Sequence, residues 1–150
     1  MLSELNLPKY DFRFREEKGK KQIFDNFRKK FIALTPEEWV RQNFLYYLNK
    51  EKNFPAGRIA VEKEIDINGL KRRYDALIFD QNFEAQFIVE CKAPHIKIDE
   101  SVLEQIIAYN YKIKAPFLLL SNGLSHFCIQ VDLENKRYQF LKEIPNYTEQ

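Results

Sequence analysis

Two neighbouring runs, YDALIFD at residues 74–80 and FIVECKAP at residues 87–94, decide the fold of this chain. Both are rich in Ile, Val and Phe, so they predict adjacent strands of one sheet. Each run nevertheless carries charge where a buried strand normally has none, at Asp75 in the first run and at Glu90 and Lys92 in the second. Charges in an apolar sheet are costly, so these residues need an explanation from function or from ion pairing.

The register of the predicted hairpin determines how close these charges lie. If polar residues 80–84 close the hairpin at a centre between Asn82 and Phe83, Asp75 lies directly opposite Glu90. Directly opposed residues share a face, with Cβ atoms about 4.5–5.5 Å apart. Lys92 lies two residues beyond Glu90, so it occupies the same face about 6.6 Å further along the strand. We therefore expect two carboxylates and one amine to converge, and a slip of one residue would separate them.

The order of elements around these strands predicts an α/β protein with a mixed sheet. The predicted order is a helix, three antiparallel strands, a second helix, a strand covered on both faces, and extra C-terminal strands. We expect a single domain over residues 1–150, with a core at residues 35–142. Residues 1–34 form an N-terminal extension, for which the alternating aromatic residues predict a hairpin.

Local signals place the helices and one turn of this core. Thr35 is the expected N-cap of the first helix, with Pro36 at its first position and Glu38 completing a capping box. The second helix begins after Asp99 or Ser101, and Pro116 lies beyond its end. The pair at residues 68–69, Asn-Gly, predicts a tight hairpin turn into the strand of Asp75.

Composition narrows the class of protein. Hydrophobic residues make up 45% and charged residues 31% of the 150 residues, and the formal net charge is +2. No apolar run reaches the roughly 18 residues that span a bilayer, and no signal-peptide pattern begins the chain, so we expect a cytoplasmic protein with no membrane partner. Cys91 and Cys128 lie in apolar runs and are expected to be buried thiols. His95 and His126 lack a partner at metal-ligand spacing.

Two explanations of the charged strand residues remain open at this point. In the first, Lys92 forms a buried ion pair with one of the carboxylates, and the cluster is structural. One lysine, however, leaves a second carboxylate unpaired beside the first, and like charges at this distance repel. In the second, a divalent cation lies between Asp75 and Glu90, since oxygen ligands of this kind suit Mg²⁺.

These residues resemble the signature of the PD-(D/E)xK nuclease superfamily. Asp75 on one strand and Glu90-x-Lys92 on the next match its core, with Tyr74 in the place of the proline. Gln105 and Tyr109 on the following helix match the Q-x-x-x-Y motif that accompanies this core in type I restriction R subunits and RecB-like nucleases. Residues four apart lie on one face of a helix, so the motif is also physically coherent.

Longer segments are similar to a small stand-alone family, named for the N terminus of the type I restriction enzyme R protein. The matching segments are PEEWVRQ at residues 36–42, ECKAP at 90–94, QIIAYN at 105–110 and SNG at 121–123. The resemblance extends over nearly the whole chain. It implies a restriction-endonuclease-like fold and a metal-dependent endodeoxyribonuclease that hydrolyses DNA phosphodiester bonds.

The resemblance also implies roles for individual residues. Asp75 and Glu90 would hold Mg²⁺, or Mn²⁺ as a substitute, together with the backbone carbonyl of Cys91. Glu37 corresponds to an acidic residue that reaches the metal in such nucleases, although the helix dipole alone favours an acid in a first turn. Lys92 would orient the attacking water or stabilise developing negative charge. Residues expected to contact DNA or support the site are Gln105, Tyr109, Lys71, Arg72 and Arg73.

An alternative function is a non-catalytic module that binds DNA or partner subunits of a restriction or defence system. The four glycines of the chain cannot compose a G-x-x-x-x-G-K-[ST] phosphate loop, so no ATP-driven motor is expected within it. The expected partners are therefore DNA, a translocase or specificity subunits, and for double-strand cleavage a second copy of the chain.

Overall fold

Two sheets and two long helices build the chain in a computed structural model that describes residues 2–148, apart from the side chains of Ile67 and residues 109–112. The N-terminal sheet consists of β1 (Phe14–Glu17), β2 (Lys20–Asp25) and β3 (Lys30–Ala33). The large sheet and its helices follow, as α1 (Pro36–Glu51), β4 (Ile59–Ile67), β5 (Leu70–Phe79), β6 (Ala85–Cys91), α2 (Glu100–Ile113), β7 (Phe117–Ser121), β8 (His126–Asp132) and β9 (Arg137–Leu141).

The N-terminal extension is a three-stranded antiparallel sheet, so the prediction of a simple hairpin is wrong. The turn that joins β1 to β2 has positive φ angles of 53° at Lys18 and 77° at Gly19. A second reversal follows at Asp25, whose Oδ1 accepts the backbone N–H groups of Phe27 and Arg28 at 2.7 and 3.0 Å. This side-chain turn splits the predicted second arm into β2 and β3.

Helix α1 begins where the sequence predicts. The Thr35 hydroxyl accepts the backbone N–H of Glu38 at 3.0 Å, and Pro36 occupies the first position of the helix. Glu38 does not complete the predicted capping box, because its carboxylate binds Arg41 and Gln42 instead. On α2, Asp99 is the cap, since its Oδ1 accepts the N–H of Val102 at 3.0 Å; the Ser101 alternative is wrong.

The large sheet has six strands in the order β4-β5-β6-β7-β8-β9. Strands β4, β5 and β6 are antiparallel, β7 runs parallel to β6 after the crossover through α2, and β8 and β9 continue antiparallel. The predicted order of elements is therefore confirmed. Asn68 and Gly69 adopt φ angles of 53° and 81°, as the predicted tight turn requires.

The two helices cover opposite faces of this sheet. Val40, Phe44 and Leu48 of α1 pack in one buried cluster with Ala76 and Val89. Ile106 and Ile107 of α2 pack in a second cluster, with Leu77, Ile88 and Leu118. Successive side chains along β5, and likewise along β6, thus pack against different helices. These central strands are therefore covered on both sides. Within the described residues, no helix is long and apolar enough to cross a membrane.

The predicted register between β5 and β6 is correct, although the turn differs. Ala76 pairs with Val89 and Leu77 with Ile88, which continues toward Asp75 opposite Glu90. At the turn, Phe79 pairs with Ala85, and the Asp80 N–H donates to the Glu84 carbonyl at 2.9 Å. The turn is therefore centred on Asn82 rather than after it. Gln86 is an extra residue in β6, and this bulge restores the predicted register.

Candidate metal and nuclease site

Asp75, in the middle of β5, and Glu90, near the end of β6, form a pair of neighbouring carboxyl groups. Glu90 is partly buried, and its pKa is raised to about 9 by burial first, and then by the charge of Asp75 and hydrogen bonding with it. These surroundings favour the protonated form of the Glu90 carboxyl group over the ionised form. The two strand residues singled out by the sequence are therefore in direct electrostatic contact.

Two fixed donors hold the carboxylate of Asp75. Its Oδ2 accepts the backbone N–H of Cys91 at 2.6 Å, and its Oδ1 lies 3.1 Å from Nη1 of Arg41 on α1. The ion pair of Asp75 is thus formed with Arg41, a partner that the sequence did not predict. Because a carboxylate has about four lone-pair sites, both oxygens retain capacity for a further ligand.

Lys92 and Glu37 belong to the same electrostatic cluster. The positive charge of Lys92 acts to lower the pKa of Glu90, against the stronger effects of burial and Asp75. Burial and then the charge of Asp75 raise the pKa of Glu37, while Arg41 and Lys92 oppose this rise. Glu37 of α1 and Lys92 therefore lie within electrostatic range of the Asp75–Glu90 pair.

The donor set for a metal ion is limited. In the part of the chain that the structure describes, no three side chains of His, Cys, Asp and Glu are grouped as metal ligands. A cation here would need Asp75 and Glu90 together with main-chain and water oxygens, which is a coordination shell that Mg²⁺ accepts. The raised pKa of Glu90 fits such a cation, since positive charge between the carboxyl groups would relieve their repulsion.

A buried ion-pair network supports the site from α1, and the sequence reasoning missed it. Glu38 is 5% exposed and accepts hydrogen bonds from Arg41 at 2.7 Å and Gln42 at 2.9 Å. Arg28 lies 3.3 Å from Glu38 and also pairs with Glu62, at 2.9 Å, and with buried Asp25. The network therefore connects the N-terminal sheet to Asp75 through Arg41.

This network keeps its charges inside the protein. Burial opposes the charge of Arg41, but hydrogen bonding and the charges of Glu38, Asp75 and Glu62 raise its pKa overall. Burial also opposes ionisation of Asp25, yet hydrogen bonds from Arg28 and Phe27 lower its pKa. The sequence did contain a signal of this network, namely the polar residues Glu38, Arg41 and Gln42 among the apolar residues of α1. In the structure these three are buried beside Val40 and Phe44.

The residues predicted to contact DNA are on α2 and β5. Gln105 is exposed on α2, and the side chain of Tyr109 falls outside the described residues. Lys71 and Arg73 on β5 form exposed ion pairs with Glu64, at 4.0 and 3.7 Å, and Arg72 lies between them. Their predicted role in DNA binding stays a prediction.

The cysteines and histidines are placed as expected. Cys91 and Cys128 are buried free thiols. Burial, and then the charge of Asp75, raises the pKa of Cys91 well above its usual range, so the thiol is not a nucleophile. His126, at the start of β8, contacts the Ser121 hydroxyl at 2.7 Å and the Asn6 carbonyl at 2.9 Å. His95 is exposed.

The sequence of this chain matches the model of one known protein family. Residues 36–145 match the family model described as the type I restriction enzyme R protein N terminus. A fragment assigned to an HsdR subunit of a type I restriction enzyme from Vibrio vulnificus YJ016 has a similar fold, with a TM-score of 0.56 and 19% identity. The match covers 77% of this chain and 24% of that one, so this chain spans about a quarter of its relative.

A second solved structure shares weaker similarity. It is the DrdV–DNA complex, with a TM-score of 0.47 and 16% identity over 71% of this chain and 10% of that chain. No curated protein matches the sequence. The family model spans both helices and the six-stranded sheet.

Proposed function

The chain belongs to the type I restriction enzyme R protein N-terminus family, and we propose that it is a Mg²⁺-dependent DNA endonuclease domain whose site is formed by Asp75, Glu90 and Lys92. The observation that carries the proposal is the partly buried carboxyl pair on β5 and β6, where burial first and then the charge of Asp75 raise the pKa of Glu90. Perturbed titratable groups of this kind concentrate at functional sites. Membership of the family supplies the substrate class, DNA.

The residues divide the work of phosphodiester hydrolysis. Asp75 and Glu90 would hold the cation with the Cys91 carbonyl, and Glu37 is the nearest further acid. When bound, Mg²⁺ would polarise the scissile phosphate and lower the pKa of a water molecule. Lys92 would place its ammonium group against the negative charge that develops on the phosphate oxygens.

Arg41 has a positioning role in this scheme. Its Nη1 holds Asp75 from the α1 side, and the Cys91 N–H holds the same carboxylate from β6. Asp75 therefore keeps one orientation before any cation arrives, so less conformational freedom is lost on binding. Glu90 holds a proton in the free protein and releases it when it becomes a ligand.

Partners follow from the same proposal. The chain would act on DNA beside translocase or specificity subunits that move or select the substrate, because a nuclease site alone does neither. Cleavage of both strands would require two copies of the chain or two successive cuts.

Plasmid nicking with Mg²⁺ or Mn²⁺ tests the proposal. The wild-type chain should nick supercoiled plasmid, whereas Asp75→Ala and Lys92→Ala should each lose at least about a hundredfold in rate, as removal of a charge-stabilising group does. Glu134→Gln, in the exposed turn after β8, is the matched control and should retain full activity. Equal activity in all four proteins would contradict the site. Metal-independent, salt-sensitive DNA binding without nicking would indicate the non-catalytic module instead.

A further inference from the structure

A groove of about 570 Å³ lies between the N-terminal sheet and the beginning of α1. We propose that this groove binds an unpaired nucleotide of the DNA strand that reaches the Asp75–Glu90 pair, an inference that rests on the proposed function for its choice of DNA. Most residues lining the groove precede residue 36, where the family match begins. The groove is therefore a feature that the N-terminal extension adds to the shared fold.

Aromatic side chains give the groove a surface suited to a nucleobase. Phe14 on β1 and Trp39 on α1 line it together, with ring centroids 6.3 Å apart and planes inclined by 41°. Phe14 is 48% exposed, so much of its ring is accessible to a ligand in the groove. The indole Nε1 of Trp39 already donates to the Ser3 carbonyl at 2.9 Å, so the ring is held in place. Bases of any sequence stack on such rings.

The rim of the groove carries positive charge for the backbone of the strand. Residues 15–21 contain four cations, Arg15, Lys18, Lys20 and Lys21, against the two acids Glu16 and Glu17. Of these residues, Arg15 and Lys21 line the groove together with the acid Glu16. Arg15 is engaged with Glu17 at 3.0 Å, whereas Lys21 is exposed. Aromatic surfaces within a basic rim are the combination that binds single-stranded nucleic acid.

The groove adjoins the candidate catalytic cluster through the beginning of α1. Pro36 lines the groove, and the next residue, Glu37, is within electrostatic reach of Asp75 and Lys92. A strand that crosses the first turn of α1 would place a base in the groove and an adjoining phosphate at the carboxyl pair. An unpaired base is required because a base within a stacked duplex does not expose its ring faces.

The single tryptophan of the chain makes this inference measurable. Trp39 is the only Trp, so its fluorescence reports on the groove alone. We expect a short oligothymidylate to quench it saturably in EDTA, and a duplex of the same length to bind at least tenfold more weakly. Phe14→Ala should weaken oligothymidylate binding about tenfold, as loss of one base-stacking ring does. Phe14→Leu keeps the apolar volume without the ring and should weaken binding similarly, which separates stacking from misfolding.

Two matched controls accompany these variants. Phe83→Ala removes an aromatic ring that is 76% exposed in the β5–β6 turn and should leave binding unchanged. Lys21→Gln should reduce the slope of log affinity against log salt by about 0.7, the value for one phosphate contact on a single strand. Lys136→Gln, in the exposed β8–β9 turn, should not change that slope.

Three outcomes would overturn the groove inference. They are equal affinity of wild type and both Phe14 variants, equal affinity for duplex and single strand, and displacement of the oligonucleotide by an acidic peptide that quenches as strongly. The assay needs no cleavage and runs in EDTA, so its result does not depend on nuclease activity. Binding without metal-dependent nicking would sustain the groove and reject the nuclease proposal. Metal-dependent nicking, together with unchanged oligothymidylate binding by the Phe14 variants, would support the nuclease proposal and reject the groove.

Discussion

Nη1 of Arg41 lies 3.1 Å from Oδ1 of Asp75, across 34 residues of sequence and between a helix and a strand. Arg41 is 8% exposed at its side chain, and its Nη2 lies 2.7 Å from Glu38. The same guanidinium thus ties the candidate metal ligand to a buried acid on its own helix. Since Glu38 also meets Arg28, the N-terminal sheet takes part in holding Asp75 in place.

Loss of Arg41 should destabilise the protein strongly. Arg41→Gln leaves Asp75 and Glu38 without their shared cation, and removing one partner of a buried ion pair typically costs about 3–5 kcal/mol. Arg41→Lys keeps the charge but cannot span both acids with a planar fork, so an intermediate loss is expected. Urea denaturation measures both. Arg137→Gln, at the exposed beginning of β9, is the control and should change the free energy of unfolding by less than about 0.5 kcal/mol.

The metal-free protein should lose stability as pH rises from 5 to 8. The folded-state pKa of Glu90, about 9, lies above its usual 4.5, so the native state retains a proton that the unfolded state releases. The free energy of unfolding therefore falls between these two values, by up to about 1.4 kcal/mol per pH unit. Glu90→Gln removes this titration. Urea denaturation in EDTA should show wild type and variant converging near pH 5 and the variant more stable at pH 8; parallel pH profiles would contradict the assignment.

Binding of a divalent cation should be coupled to proton release from Glu90. A ligand must be ionised, so the affinity for Mn²⁺ should rise with pH below the pKa of about 9, by up to about tenfold per pH unit for one proton. Calorimetry in two buffers of different ionisation enthalpy counts the released protons directly. Asp75→Asn and Glu90→Gln should abolish binding, and Glu134→Gln should not. Mn²⁺ binding with no released proton would place the ion elsewhere.

Gly123 should be intolerant of a side chain. Its φ of +86° lies in the left-handed region, and a Cβ there would lie 2.6 Å from Cδ2 of Leu5 and 3.2 Å from Cγ2 of Val40. Gly123→Ala should therefore lower the free energy of unfolding by about 1–2 kcal/mol from backbone strain alone. Gly57→Ala is the matched control, because its added Cβ meets nothing within 4 Å and its φ is not positive. Equal melting temperatures for the two variants would contradict this reading of the turn.

Much of the fold could be predicted because its signals are local. The hydroxyl of Thr35 caps α1 three residues along the chain, and Asn68-Gly69 reverses the chain within two residues. The N-terminal sheet was harder to predict, because its second turn depends on the side chain of Asp25 accepting backbone N–H groups. The same residue types also occur in exposed loops, so composition did not reveal that turn.

The sequence by itself determined that Asp75 and Glu90 are neighbours on two adjacent strands, because buried, alternating side chains allow few registers of paired strands. Even the unforeseen bulge at Gln86 preserved that relation. Only the tertiary structure decided which cation meets Asp75, and it is Arg41 rather than Lys92. Arg41 lies in the helix layer and Asp75 in the sheet. The distance between their charged groups depends on how α1 packs across the sheet, and no local sequence pattern encodes that packing.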